Sequence, residues 1–139
     1  HNRVATRYLA QLLQLWAKNQ IMDTLYLPIP LSSKRFRERG YNQVEVVLKY
    51  LEGELTSSTT LLTKKIHTQP QTSLTKDARH RNLTGAFAFR EPTFNINRFQ
   101  QIVILDDVVT TGTTLREARA TLAPHLPSHV TLTCLALAH

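Results

Sequence analysis

The chain has 139 residues, a formal net charge of +7, 42% hydrophobic side chains, four glycines, six prolines and one cysteine. That composition suits one domain with a single core and is too poor in Gly and Pro for extended disorder. It excludes an internal disulfide and a cysteine zinc site, and no run of about 18 apolar residues is present to span a membrane.

The first apolar stretch carries Arg3, Arg7 and Lys18 and has no signal-peptide core, so a cytoplasmic location is the default expectation. The positive excess favours anionic partners, either polyanionic small molecules or nucleic acid. General solubility is the competing reading, and the placement of the cations has to decide between them.

Val4 to Trp16 sets Tyr8, Leu9, Leu12, Leu13 and Trp16 on one stripe, which predicts an amphipathic helix with Tyr8 and Trp16 in the core. Thr24 to Ile29 reads as a short strand ending at prolines. Ser32 to Gly40 is polar and basic and reads as a loop. Asn42 with Glu45 resembles a capping box that starts a second helix, running to about Leu51. Thr59 to Thr63 reads as a second strand.

His67 to Asn82 lacks an apolar period and is expected to be a long mobile loop, with one helical turn near Asp77 to Arg81. Loops of that length are uncommon unless functional. Ala86 to Phe89 comes next as a strand. Gln101 to Leu105 is continuously apolar, as a buried strand should be. Thr114 and Glu117 give another cap signal, and Leu115, Ala118, Leu122 and Ala123 form a helix stripe stopped by Pro124 and Pro127. Val130 to Ala138 is the last expected strand, with Cys134 as an inert residue within it. His125 and His129 lie four apart, but Pro127 separates them, so no metal spacing results. Alternating strands and helices predict an α/β fold, a parallel sheet flanked by helices, whose ligands sit beyond the carboxyl ends of the strands.

Leu105 leads into Asp106-Asp107-Val108-Val109-Thr110-Thr111-Gly112-Thr113-Thr114. Gly112 permits a positive φ and close backbone approach. The surrounding amides can form an anion nest opening a helix, with threonine hydroxyls as further donors. Ionised carboxylates only accept, so Asp106 and Asp107 suit the donating hydroxyls of a ribose, or an oxygen-seeking Mg²⁺. Neighbours on an extended strand point to opposite sides. One aspartate is therefore expected at the sugar and the other at the loop or metal shell. A strand end followed by a helix cap is the simpler alternative, but this combination of acid pair, nest and helix is much rarer than either part alone.

Ile102 to Thr114 resembles the phosphoribosyl pyrophosphate motif of type I phosphoribosyltransferases, and the whole chain resembles the ComF/GntX competence-associated family within that superfamily. The likeness extends to Pro28-Ile29-Pro30-Leu31 with Arg35, Arg37 and Arg39-Gly40-Tyr41-Asn42-Gln43. It also includes Thr68-Gln69-Pro70-Gln71, Leu74, and Arg79 to Asn82 before Gly85-Ala86-Phe87. It implies a single type I phosphoribosyltransferase-like domain over residues 1–139, with a long flexible loop at about 64–85 closing over the site. Lys64 stands where the resemblance leads one to expect arginine, which keeps the charge but loses the fork geometry. Members of the family commonly carry an N-terminal four-cysteine zinc ribbon. This chain opens on a helix with one cysteine, as a fragment or a short member would.

The resemblance implies phosphoribosyl pyrophosphate or a nucleotide as ligand, with Mg²⁺. Val109 to Thr114 would hold the 5-phosphate, and Asp106 and Asp107 the ribose and metal shell. Leu31, Ser32, Ser33, Lys34, Arg35, Arg37 and Arg79 would contact pyrophosphate or nucleic acid. Catalytic roles would fall to Asp106 and Asp107 at the ribose and metal shell, and to Lys64 or Arg35, either of which would stabilise departing pyrophosphate electrostatically. Two classes remain open: a transferase acting on a nucleobase, for which no base reader is recognisable, and a binding protein of DNA uptake. The second class would handle single-stranded DNA or other competence proteins, although the basic loops show no clear stacking aromatic.

Overall fold

The structure, a computed structural model, describes residues 2–20, 23–65 and 85–138. Its centre is the strand Gln101–Val108. Preceding it are the helix α1 (Arg3–Ala17), strand β1 (Thr24–Pro28), helices α2 (Ser33–Arg39) and α3 (Gln43–Tyr50), and strands β2 (Thr56–Ser57), β3 (Leu62–Lys64) and β4 (Phe87–Phe89). The central strand is therefore β5; α4 (Thr113–Leu122) and β6 (Thr131–Ala138) come after it.

The main sheet has the order β2-β1-β5-β6, and all its pairings are parallel. β5 is flanked on both sides, so its alternating side chains are buried on both faces. Ile102 and Ile104 enter one core with Leu25, Leu27 and the α4 residues Leu115, Ala118 and Leu122. Val103 and Leu105 enter the other with Tyr26, with Ala10 and Leu13 of α1, and with Val44, Val47 and Leu48 of α3. Burial on both faces is why the sequence of β5 shows a run rather than an alternation. Gln101 is buried and satisfied: its amide donates to Thr133 Oγ1 at 2.9 Å and its Oε1 accepts from Thr24 Oγ1 at 3.3 Å.

Four expectations change. Ser32 to Gly40 is not a loop: α2 is capped at both ends, by the Ser32 hydroxyl accepting the Arg35 amide at 3.2 Å and by Gly40 in the left-handed region at φ 75°. It buries no side chain, so it lacks the apolar period that sequence reading relies on. The single strand expected at Thr59 to Thr63 is replaced by β2 and β3. The face of α1 is turned: Thr6, Ala10 and Leu13 are buried, while Tyr8 is 63% and Leu12 45% exposed. Trp16 does pack against the α1–α3 core. Finally, β5 continues through Asp106 and Asp107 to Val108, and the cap of α4 is Gly112, not Thr114.

β3 and β4 form a separate antiparallel pair, with Lys64 opposite Phe87. They draw together the two ends of the segment expected to be a mobile loop. The segment itself, with Arg79 and Asn82, lies outside the described residues. Among the described residues no helix is long and apolar enough to cross a membrane.

Candidate functional site

From β1 the chain crosses to β2 on one side; from β5 it crosses to β6 on the other. The two connections diverge at the carboxyl ends of β1 and β5, where Pro28 and Leu105 are paired. Such a switch point leaves a crevice in open α/β sheets. The crevice here has a volume of about 280 Å³ and is lined by Asp106 to Leu115 on one wall and by Arg35 and Arg39 of α2 on the other.

The two aspartates differ in what they have left to offer. Asp107 is fully engaged: Oδ2 accepts from Arg39 Nη1 at 2.8 Å and Oδ1 from the Val108 amide at 2.8 Å. Asp106 accepts the Asp107 amide through Oδ1 at 2.8 Å and its carboxyl also meets that of Asp107, while no other group among the described residues bonds Oδ2. Their acidities separate accordingly. Burial, helped by the neighbouring Asp107 carboxyl, pushes Asp106 up to about 6 despite Arg35 nearby. Burial, the largest single influence, would raise Asp107 as well, but the Arg39 hydrogen bond and charge, the Val108 amide and the Asp106 carboxyl together outweigh it and hold Asp107 below the usual carboxylate range. Two adjacent acids are thus pushed apart in acidity by their surroundings, a pattern that functional sites share with structural ion pairs.

Lys64 approaches from β3. Burial and the like charge of Arg35 lower its pKa, with Asp106 opposing, so Lys64, Arg35 and Asp106 share one electrostatic environment. The Lys64 ammonium also lies 5.5 Å from the centre of the Phe87 ring. Arg35 and Asp106 line the crevice, and Lys64, from a distant part of the chain, feels the charge of both.

Beyond β5, Val109 donates to Ala138 O at 3.4 Å, tying the strand end to β6. Gly112 adopts φ 74°, the left-handed conformation expected of it, and hands over to α4. No acceptor among the described residues takes the amides of Thr110, Thr111, Gly112 or Thr114. The Thr111 and Thr113 hydroxyls bond each other at 2.9 Å, and the Arg116 guanidinium donates to Thr111 O at 3.1 Å. Arg116 thus adds a cation at the helix mouth, on the turn that carries the nest. Its only signal in the sequence is a position one turn into α4.

The set expected to contact pyrophosphate or nucleic acid is divided by α2. Arg35 faces the crevice. Leu31, Ser33 and Arg37 border a second concavity on the other side of the helix. Ser32 is the cap, and Lys34 is exposed beside Glu38 at 4.0 Å. Arg39, which the sequence marks only as part of the basic cluster, is the residue that ties α2 to the acid pair.

With that geometry in view, the sequence over residues 19–139 matches the phosphoribosyl transferase domain family. The chain belongs to that family. Relatives include Competence protein F of Haemophilus influenzae, 31% identical over 66% of this chain and 40% of that protein. Another is the DNA utilization protein YhgH of Salmonella typhimurium, 33% identical over 84% of this chain and 50% of that protein. The resemblance to the ComF/GntX line is thereby borne out, and the chain spans about half the length of these relatives or less. Among solved structures, the allosteric regulatory enzyme of purine biosynthesis aligns with 94% of this chain and 25% of its own, at 16% identity and a TM-score of 0.49. A hypoxanthine phosphoribosyltransferase from Staphylococcus aureus aligns with 94% of this chain and 61% of its own, at 15% identity and a TM-score of 0.48.

Proposed function

We propose that this phosphoribosyltransferase-type domain binds phosphoribosyl pyrophosphate or a related ribose 5-phosphate, and that it serves natural competence. The carrying observation is the switch-point crevice, with uncommitted amides at Thr110, Thr111, Gly112 and Thr114 on the helix mouth and an Asp106 Oδ2 that no group outside the acid pair bonds among the described residues. Amides and helix mouth suit the 5-phosphate, and Asp106 suits a donating ribose hydroxyl.

Mg²⁺ fits the same donor set. It typically takes one or two carboxylates and completes its shell with waters and substrate phosphates, and Asp106 can offer Oδ2 without giving up its bond to the Asp107 amide. Asp107 would hold the arrangement through Arg39. When bound, the ion would neutralise pyrophosphate charge beside the acid pair.

The names of the relatives, Competence protein F and DNA utilization protein, support a role in DNA uptake and transformation. Single-stranded DNA and other competence proteins are the partners such a role implies, in the cytoplasm. An active transferase acting on a nucleobase is the second reading, supported by the charge coupling of Lys64 and Arg35 to Asp106, two cations that could stabilise departing pyrophosphate.

Calorimetric titration with phosphoribosyl pyrophosphate and Mg²⁺ tests the site. Binding that weakens roughly 10- to 150-fold in Asp106→Ala supports it, the value of one charge-assisted contact. Affinity unchanged in both Asp106→Ala and Asp107→Ala sinks the ribose assignment. Pyrophosphate release with any base would favour the enzyme.

A further inference from the structure

α1 is apolar on two sides, and the fold uses only one of them. Asn2 caps the helix by accepting the Val4 and Ala5 amides at 3.0 and 3.3 Å, and Ala10 and Leu13 seat its inner face against α3 and the sheet. At about 3.6 residues per turn, Val4, Tyr8, Leu12 and Leu15 fall within about 80° of one another on the outer face. All four are exposed, Val4 at 79% and Leu15 at 60%. Single exposed apolar residues are ordinary, but a continuous line of them on a firmly seated helix marks a contact surface. The line has one charged flank. Arg7 and Gln14 lie on the same side of it, towards opposite ends, and Gln14 Nε2 donates to Glu54 Oε2. Neither Arg7 nor Glu54 has an ion-pair partner among the described residues.

We propose that this stripe is the two-fold interface of a homodimer, in which α1 pairs antiparallel with α1 of a second copy of the chain. A two-fold axis passing between Tyr8 and Leu12 reverses the helix direction and keeps each flank on its own side. Tyr8 then meets the second copy's Leu12, Val4 meets its Leu15, and Arg7 comes level with its Gln14 and Glu54. Each contact is made twice. The charges argue for this occupant: an unpaired cation on one half of the flank and an unpaired acid on the other complement a copy of the same surface. Arg3 and Lys18 fall at the rim, where solvent and salt screen them. An anionic lipid surface would attract Arg3, Arg7 and Lys18 but would be opposed by Glu54 beside the stripe. A helix pair is a small interface, below about 1,200 Å² in total, so the dimer is reversible rather than obligate. No stripe residue lines the crevice, and the pairing stands whether or not a ribose phosphate binds there.

Sedimentation velocity on the full chain, over a range of about 1 to 200 µM, is the test. The parent chain should pass from monomer to dimer across that range. Tyr8→Asp puts a carboxylate into the apolar seam twice and should weaken dimerisation at least about 30-fold, the effect of losing one dominant interface contact. Arg7→Glu and Glu54→Arg should each weaken it. The double variant restores the pair with its signs exchanged and should dimerise within about threefold of the parent. Tyr8, Arg7 and Glu54 are exposed, so these changes leave the core intact, which thermal denaturation checks. The proposal is overturned if the parent stays monomeric at the top of the range, if Tyr8→Asp dimerises as the parent does, or if the double variant recovers nothing that the single ones lose. A monomer that binds phosphatidylglycerol vesicles, and no longer does so in Tyr8→Asp, would assign the stripe to lipid and overturn it equally.

Discussion

Replacing Asp106 by Asn should stabilise the protein while weakening its hold on a ribose phosphate. The carboxyl is half-buried at the end of β5, and its pKa stands near 6 instead of 3.8, chiefly through desolvation. At about 1.4 kcal/mol per pH unit, that displacement bounds the cost of ionising Asp106 in the fold at about 3 kcal/mol. Solvent screening, and the loss of a counter-charge for Arg35 and Lys64, reduce the expected gain to about 1 kcal/mol, or a rise of about 3–4 °C in Tm for a chain of this length. Asn keeps the oxygen that accepts the Asp107 amide, so the strand end survives. The sign comes from a folded-state pKa raised above the unfolded one. The parent chain is at no disadvantage below about pH 4, where the carboxyl is neutral in both states, and it loses ground as pH rises through 6. Thermal denaturation at pH 4, 5.5 and 7.5, beside titration with phosphoribosyl pyrophosphate, reads both effects. An unchanged or lower Tm at pH 7.5, an advantage that persists at pH 4, or an unaltered affinity would refute the reasoning.

The same carboxyl predicts that the parent chain's affinity for phosphoribosyl pyrophosphate falls up to about tenfold more than that of Asp106→Asn between pH 7.5 and 5, since the ionised form is the stronger, charge-assisted acceptor for a sugar hydroxyl; calorimetry at the two pH values decides. Breaking the Arg39–Asp107 pair, whose arginine is half-exposed, should cost under about 1 kcal/mol of stability. Arg39→Ala should nevertheless loosen ligand binding, and a double-mutant cycle with Asp107→Asn should show the two effects to be non-additive. Gly112→Ala places a side chain at φ 74° with its Cβ 3.2 Å from the Arg116 guanidinium. A loss of about 1–2 kcal/mol in stability and a larger loss of phosphate affinity are expected by denaturant unfolding and titration.

Much of the framework is legible in the sequence because single elements announce themselves. A short continuous apolar run such as Ile102 to Leu105 suits a strand buried on both faces, and that is what it forms. Gly112 is suited to a left-handed backbone and has it. The Asn42 cap is visible beside the apolar period of α3. By contrast, α2 reads as a loop because its caps enclose no buried side chain, so no period marks it. The stripe of α1 is right for Leu9, Leu13 and Trp16 but leaves Tyr8 and Leu12 exposed, because its apolar arc is wider than the face that α3 and the sheet cover, and a period cannot say which part is used.

The chain's local chemistry thus determined the strand, the acid pair, the glycine turn and the helix after it, since each depends on neighbours in sequence. Which aspartate keeps an oxygen unbonded outside the acid pair, which cations of the basic cluster face the acids, and that Lys64 joins them were decided by the tertiary structure. Those outcomes depend on the parallel pairing of β1 with β5, which brings residues far apart in sequence to one crevice, and on a helix that turns Arg35 and Arg39 inward and Phe36 away.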